Sequence, residues 1–389
     1  MVRLGVESFV RDYGDSLDTE RLGLISNPSG VTRDLTPTVD LLYRSDNWNL
    51  RRLFAPEHGI RGNVRENGSG VDETIDDRTG LPVRSVRGEN GTQFARAIED
   101  LDVVIYDMQD VGCRFYTLVS TLVYALKGVE EADKRLLVLD RPNPIAPLEP
   151  AGNLHAPLGG STLEEYVLPV VHGLTVGELA WYFKEEFDIR ANVEVVEVEE
   201  WERETWYDET GHPWVPPSPN MPTLETATLY PGTCFFEGTT LSEGRGTAKP
   251  FELVGAPWVD AQEWADQLND FDLPGVGFRP AYFTPMFSKH ERRDIEGVQL
   301  HILDRDRIDP VHVGFVMLIS AFTTYPESDW LQYDSEHFID RLVGGSHLRK
   351  MVDEANAEAD PMEMATRLRE YWHKDIDRFT DLRQRYALY

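Results

Sequence analysis

Lysine is scarce in this chain: only 7 of its 38 basic residues are Lys and 31 are Arg, against 68 acidic residues and a formal net charge of −30. There is no basic stripe and no Lys/Arg-rich tail, which argues against a nucleic-acid or anionic-membrane partner. A Lys-poor acidic surface suits concentrated salt. Charges there are screened within roughly 3 Å at 1 M, and hydrated carboxylates keep the chain in solution. Cysteine is scarcer still. Cys113 and Cys234 provide neither a disulfide framework nor metal-ligand spacing and point to a reducing compartment. No apolar run approaches the roughly eighteen residues that would suggest a bilayer-spanning helix. The opening Met1-Val2-Arg3-Leu4-Gly5-Val6-Glu7 enters folded-looking sequence at once, so a cytoplasmic location is expected. The G-x-S-x-G elbow, H-E-x-x-H, the P-loop and G-x-G-x-x-G are all missing. His58, His172 and His212 show no metal spacing, and no metal or cofactor is expected.

What is present is enough apolar sequence for substantial cores, 41% hydrophobic and 11% aromatic over 389 residues, a length that fits two domains. Apolar strand candidates sit at Leu22–Ser26, Leu50–Phe54, Val103–Tyr106 and Leu136–Leu139, the second interrupted by Arg51 and Arg52. Helical patterns near Thr36–Arg44, Gln93–Asp100 and Tyr116–Ala132 lie between them. The alternation predicts an α/β fold, a parallel sheet with covering helices. A helix near Thr175–Glu186 and a strand at Val193–Val198 follow. From Trp214 to Trp258 the texture is Pro-, Gly- and Thr-rich with little periodicity, and reads as a long functional loop. The remainder reads as a smaller α+β unit, with helices near Ala261–Asn269, Val311–Thr323 and Met362–Tyr386 and a strand at Val298–Leu303. The expected division is 1–200, a cleft-lining 201–258, and 259–389.

Polar residues fall at or just past the carboxyl ends of the four strands: Asn27, Glu57, Asp107 and Asp140. Ligand crevices of open α/β sheets lie outside those ends. Glu57 stands between Pro56 and His58-Gly59, on a turn stiffened by proline and closed by glycine, which suits a placed general acid. His58 could tune it or bind substrate. Asp107 and Asp110, three residues apart, form a candidate carboxylate pair. Arg114 is a planar fork for an anionic group, and Tyr116 stands beside it. Asn143 in the rigid Asp140-Arg141-Pro142-Asn143-Pro144 turn could donate to sugar hydroxyls, or serve the turn alone. Asn220 is the one long polar side chain of the run Pro216–Pro222. Glu237, Glu243 and Arg245 share a glycine-rich stretch in which either acid could supply a second carboxylate.

These runs resemble the exo-β-N-acetylmuramidase family (NamZ-like glycoside hydrolases). The matching stretches are LFAPEHGIRG at Leu53–Gly62, LDVVIYDMQDVGCRFY at Leu101–Tyr116, VLDRPNP at Val138–Pro144, PVVHGLTVGELA at Pro169–Ala180, Trp214–Pro222, Tyr230–Trp258, Glu296–Leu303 and Arg383–Tyr389. They are collinear over nearly the whole chain. The resemblance implies a Rossmann-like N-terminal domain, a smaller α+β C-terminal domain and an active site between them. It implies release of N-acetylmuramic acid from the non-reducing ends of peptidoglycan fragments. The family's motif glutamate falls on Glu57, and its other cleft motifs fall on Asp107, Asp110, Arg114, Asn220, Glu243 and Arg245. The sequence departs from relatives at Ser85-Val86-Arg87-Gly88 and in a shortened Asn153–Leu168.

The chemistry expected is β-glycoside hydrolysis of an N-acetylated sugar, N-acetylmuramic acid or a related amino sugar. Glu57 would protonate the leaving oxygen, and Asp107, Asp110 or Glu243 would serve as base, nucleophile or orienter of the sugar's acetamido group. Arg114 or Arg245 would pair with the lactyl carboxylate, and His58, Tyr116, Asn143, His172 and Asn220 would bind substrate. A small-molecule sugar is the partner expected, with no nucleic acid and no membrane. Two rivals stand beside this reading: a non-catalytic cell-wall-sugar sensor, and a metal-dependent hydrolase using Asp107, Asp110 and His58.

Overall fold

The computed structural model describes residues 1–14, 17–62, 73–86, 90–154, 167–355 and 359–389. Arg87 and Gly88, and positions 155–166 of the shortened stretch, lie outside the described residues. The larger sheet contains Arg21–Ser26 (β1), Asn49–Ala55 (β2), Glu73–Ile75 (β3), Pro82–Ser85 (β4), Val103–Asp107 (β5), Arg135–Leu139 (β6) and Asn192–Val196 (β7). Its order is β3-β4-β2-β1-β5-β6-β7, and every neighbouring pair is parallel except β3 with β4.

Side chains alternate across a strand, so each strand feeds two interiors. Leu22, Leu24, Val103, Ile105, Leu137 and Leu139 face a core closed by Gly5–Asp12 (α1) and Thr38–Arg44 (α2). Ile25, Val104, Tyr106, Leu136 and Val138 face the opposite core, under Gly91–Ala97 (α3), Thr117–Ala132 (α4) and Val176–Glu186 (α5). Arg52 is tolerated in β2 because its guanidinium leaves the sheet to reach Ala97 O at 2.5 Å and Asp100 Oδ1 at 2.9 Å. Helix α5 starts where its sequence says it should: Glu178 N donates to Thr175 Oγ1 at 3.2 Å and Thr175 N to Glu178 Oε2 at 2.8 Å.

The C-terminal part holds a smaller antiparallel sheet of Leu253–Ala256 (β8), Val276–Phe283 (β9) and Ile295–Ile302 (β10), in the order β8-β10-β9. Around it stand Leu224–Thr233 (α6), Ala261–Asp270 (α7), Pro310–Thr324 (α8), Phe338–Val343 (α9), His347–Asp353 (α10) and Pro361–Arg383 (α11). Helix α8 is apolar nearly all round and correspondingly buried, from Val313 through Ala321. The stretch read as loop carries α6 and β8. Helix α6 escapes a periodicity search because it is buried on nearly every side and includes Pro231 and Gly232. Gly232 permits the close crossing of α6 and α8, since a Cβ there would sit 1.8 Å from Pro310 O. The core on the α3–α5 face runs without a break into this part, through Phe235, Phe251, Val316 and Phe379.

Candidate active site

The order of the larger sheet reverses at β1, with β2 on one side and β5 on the other, and a ligand crevice belongs outside the carboxyl ends at such a point. Strand β2 ends at Ala55 and hands Glu57 to that rim. His58 and Gly59 follow with φ of 69° and 76°. A histidine in the left-handed region costs on the order of 1–3 kcal/mol, a cost that tends to be kept at working sites. Glu57 is half-buried and accepts from Thr117 Oγ1, at the start of α4, at 3.2 Å. His58 Nε2 lies 3.3 Å from Ser218 Oγ in the Pro-rich run.

The C-terminal part meets this rim with the short helical turn Cys234–Gly238 and the loop after it. Arg245 donates twice to Glu237 Oε1, from Nε at 3.0 Å and Nη2 at 2.5 Å. Its guanidinium lies 5.0 Å over the Phe251 ring. Behind it Glu243 is buried, 2.9 Å from Lys289 Nζ and 3.4 Å from Arg245 Nε. Burial lifts the Glu237 carboxyl above the usual carboxylate range, against the pull of Arg245 and with a push from Glu243. Burial also holds the Tyr116 phenol well above its ordinary value, helped by the charges of Asp110 and Glu57, so it remains a neutral donor. Glu57, His58 and Tyr116 thus share one cleft of about 740 Å³ with Glu237 and Arg245.

The other expected residues stand behind the walls. Asp107 is fully buried, 2.6 Å from Arg141 Nε and accepting from Thr38 Oγ1 at 2.5 Å, which corrects its reading as a catalytic acid. Arg114 does not await an anion. It donates to Asn153 O at 2.8 Å, Leu168 O at 2.7 Å and Leu342 O at 2.8 Å, and burial pulls its pKa down to about 10. Asp110 is buried too, accepting from Gly112 N at 2.7 Å and facing His172 Nε2 at 3.5 Å. His172 in turn accepts from Leu174 N at 3.2 Å through Nδ1. Asn143 serves its turn, donating to Leu174 O at 2.9 Å and accepting from Ile145 N at 3.1 Å. Asn220 is buried within the Pro-rich run. Of the strand-end residues, Asn27 grips that run through Pro217 O at 3.1 Å, and Asp140 accepts from Thr175, Gly177 and Tyr389. Among the described residues no group of three His, Cys, Asp or Glu side chains is placed to hold a metal ion.

Sequence reasoning named Glu237 only as an alternative to Glu243, and it missed Thr117, Ser218 and Phe287, which also line the cleft. A threonine opening a helix directly after Phe115-Tyr116 is a usable signal for the first; the other two carry none.

Known proteins resemble this chain along its whole length. Residues 22–225 match the family model described as "Exo-beta-N-acetylmuramidase NamZ, N-terminal", and residues 228–389 match its C-terminal counterpart. The chain is 39% identical over 388 residues to the peptidoglycan beta-N-acetylmuramidase NamZ of Bacillus subtilis (strain 168), covering 100% of this chain and 91% of that protein. Two crystal structures of DUF1343 family proteins from Bacteroides fragilis NCTC 9343 share the fold. One has a TM-score of 0.89 at 34% identity and the other 0.78 at 28%, each match covering 100% of this chain and 99% of the other.

Proposed function

Because the chain belongs to the exo-β-N-acetylmuramidase NamZ family, we propose that it is a glycoside hydrolase that removes N-acetylmuramic acid from the non-reducing ends of peptidoglycan fragments. The observation that carries this reading is the meeting of two carboxyl groups, Glu57 from the strand-end turn and Glu237 from the opposite part of the chain, in one cleft of sugar size. Glu57 donates its proton to the glycosidic oxygen as the bond to the anomeric carbon breaks. Glu237 faces the same space, held by Arg245 on a single oxygen. It serves as the second carboxyl, acting on the attacking water or on the sugar's own acetamido group. Arg245 receives the lactyl carboxylate, an anion that the charge of the whole chain would otherwise repel. Tyr116 and His58 orient the ring.

The composition supports two further parts of the proposal. With 68 acidic residues against 7 Lys, the enzyme works in concentrated salt, and with two unpaired, buried cysteines it works in the cytoplasm.

The test is hydrolysis of a chromogenic β-N-acetylmuramide beside the matching glucosaminide, at low and high salt. Turnover of the muramide is expected, and Glu57→Gln should reduce it by about 10²–10⁴-fold, the usual worth of a general acid, with an unchanged circular dichroism spectrum. Near-wild-type turnover in that variant would remove Glu57 as the acid.

A further inference from the structure

Strands β9 and β10 are joined by the loop 284–294, whose backbone is held in a disfavoured shape. Ser288, His290 and Arg292 have φ of 72°, 57° and 57°, and none is a glycine. Two half-buried side chains enforce this. Lys289 Nζ donates to Phe236 O at 2.6 Å and Leu241 O at 2.8 Å, besides pairing with Glu243. His290 Nε2 donates to Thr240 O at 2.8 Å, and its ring meets Trp258 edge-on at 5.5 Å. From the other side, Met286 N donates to Gly246 O at 2.9 Å. Gly246, at φ 84°, approaches so closely that a Cβ there would lie 2.4 Å from Phe287 O.

The result of these restraints is that Phe287 stands on the lip of the cleft with 47% of its surface exposed. Phe235 and Phe236, close by in the fold, are wholly buried. A strained loop that keeps an aromatic ring in water gains nothing for stability, and strain of this kind points to a site. The ring shares its cleft with Ser288 and Glu291 from the same loop. An apolar face beside a hydroxyl and a carboxylate matches a pyranose, whose C–H face is apolar and whose edge carries hydroxyl groups.

We propose that Phe287 is a stacking platform for the leaving-group sugar, the amino-sugar pyranose on the reducing side of the bond being cut. This rests on the glycosidase reading above. The catalytic carboxyls and Arg245 engage the muramic residue, and Phe287 receives the ring beyond the scissile oxygen. Phe287 is a specificity-determining residue and takes no part in proton transfer.

The experiment compares wild type, Phe287→Ala and Phe287→Trp on two substrates, a muramyl-glucosamine disaccharide and methyl β-N-acetylmuramide, which lacks the second ring. Phe287→Ala is expected to lower kcat/KM on the disaccharide roughly tenfold, the order expected when a buried aromatic contact is lost. The methyl glycoside should be unaffected, and Phe287→Trp should restore the disaccharide rate. Equal losses on both substrates, or none on the disaccharide, would overturn the platform alone. Failure of the wild type on both substrates would overturn the glycosidase reading, and the platform with it.

Discussion

Replacing Asp107 by Asn tests whether a strand-end acid serves the fold or the chemistry. Its Oδ1 lies 2.6 Å from Arg141 Nε, its Oδ2 accepts from Thr38, and Arg141 Nη2 donates onward to Val31 O at 2.8 Å. The two side chains have relative exposures of 0% and 1%, so solvent screens almost none of the interaction. An asparagine keeps the shape and can still accept from Thr38, but it leaves a guanidinium charge buried without its counter-charge. Breaking a buried pair from one side costs about 3–5 kcal/mol, a large share of the roughly 5–15 kcal/mol that holds a protein folded. Urea unfolding followed by tryptophan fluorescence should show that loss as a lower midpoint at unchanged slope. Turnover per folded molecule should stay at the wild-type value. The double change Asp107→Leu with Arg141→Met should recover much of the stability, because both charges then leave together. A stability loss under about 1 kcal/mol, the scale of an exposed ion pair, combined with collapsed turnover would refute the structural assignment and return Asp107 to the catalytic machinery.

Two more outcomes are expected. Burial lifts the Asp140 carboxyl from 3.8 to about 6, so the folded protein holds this proton more tightly than the unfolded chain. The group's contribution to stability is therefore full below pH 4 and declines by about 3 kcal/mol as pH rises through 6. Asp140→Asn should flatten the dependence of the urea midpoint over that window, and an unchanged slope would assign the titration elsewhere. Arg245→Gln should raise KM for a muramide about tenfold, the worth of a charge-assisted hydrogen bond, and should change the glucosaminide less. Equal effects on the two sugars would separate Arg245 from the lactyl group.

The parallel sheet was legible because β1, β5 and β6 are short apolar runs buried on both faces, as covered parallel strands are, and helical patterns alternate with them. The short strands β3 and β4, three and four residues long, and the eight-residue α1 offer too little periodicity to stand out. That Glu57 sits on a turn at the cleft rim was legible because proline and glycine around it announce a stiff turn. Which other acid joins it could not. Asp107 is claimed by an arginine 34 residues away. Glu237 and Glu243 are six residues apart in one glycine-rich stretch, and the fold alone decides which of them looks into the cleft. Arg114 illustrates the same limit: its fork suits a carboxylate and three backbone carbonyls equally well, and chain geometry selected the carbonyls.

The walls of the cleft share a single interior. The core beneath α3–α5 continues into Phe235, Phe251 and Val316, and Arg114 ties the carbonyls of Asn153 and Leu168 to that of Leu342. Parting the walls would tear apolar surface into water, so the enzyme is a mould rather than a jaw. A sugar entering the cleft would meet walls already in place, and a domain-scale closing stroke would have to break the core those walls share.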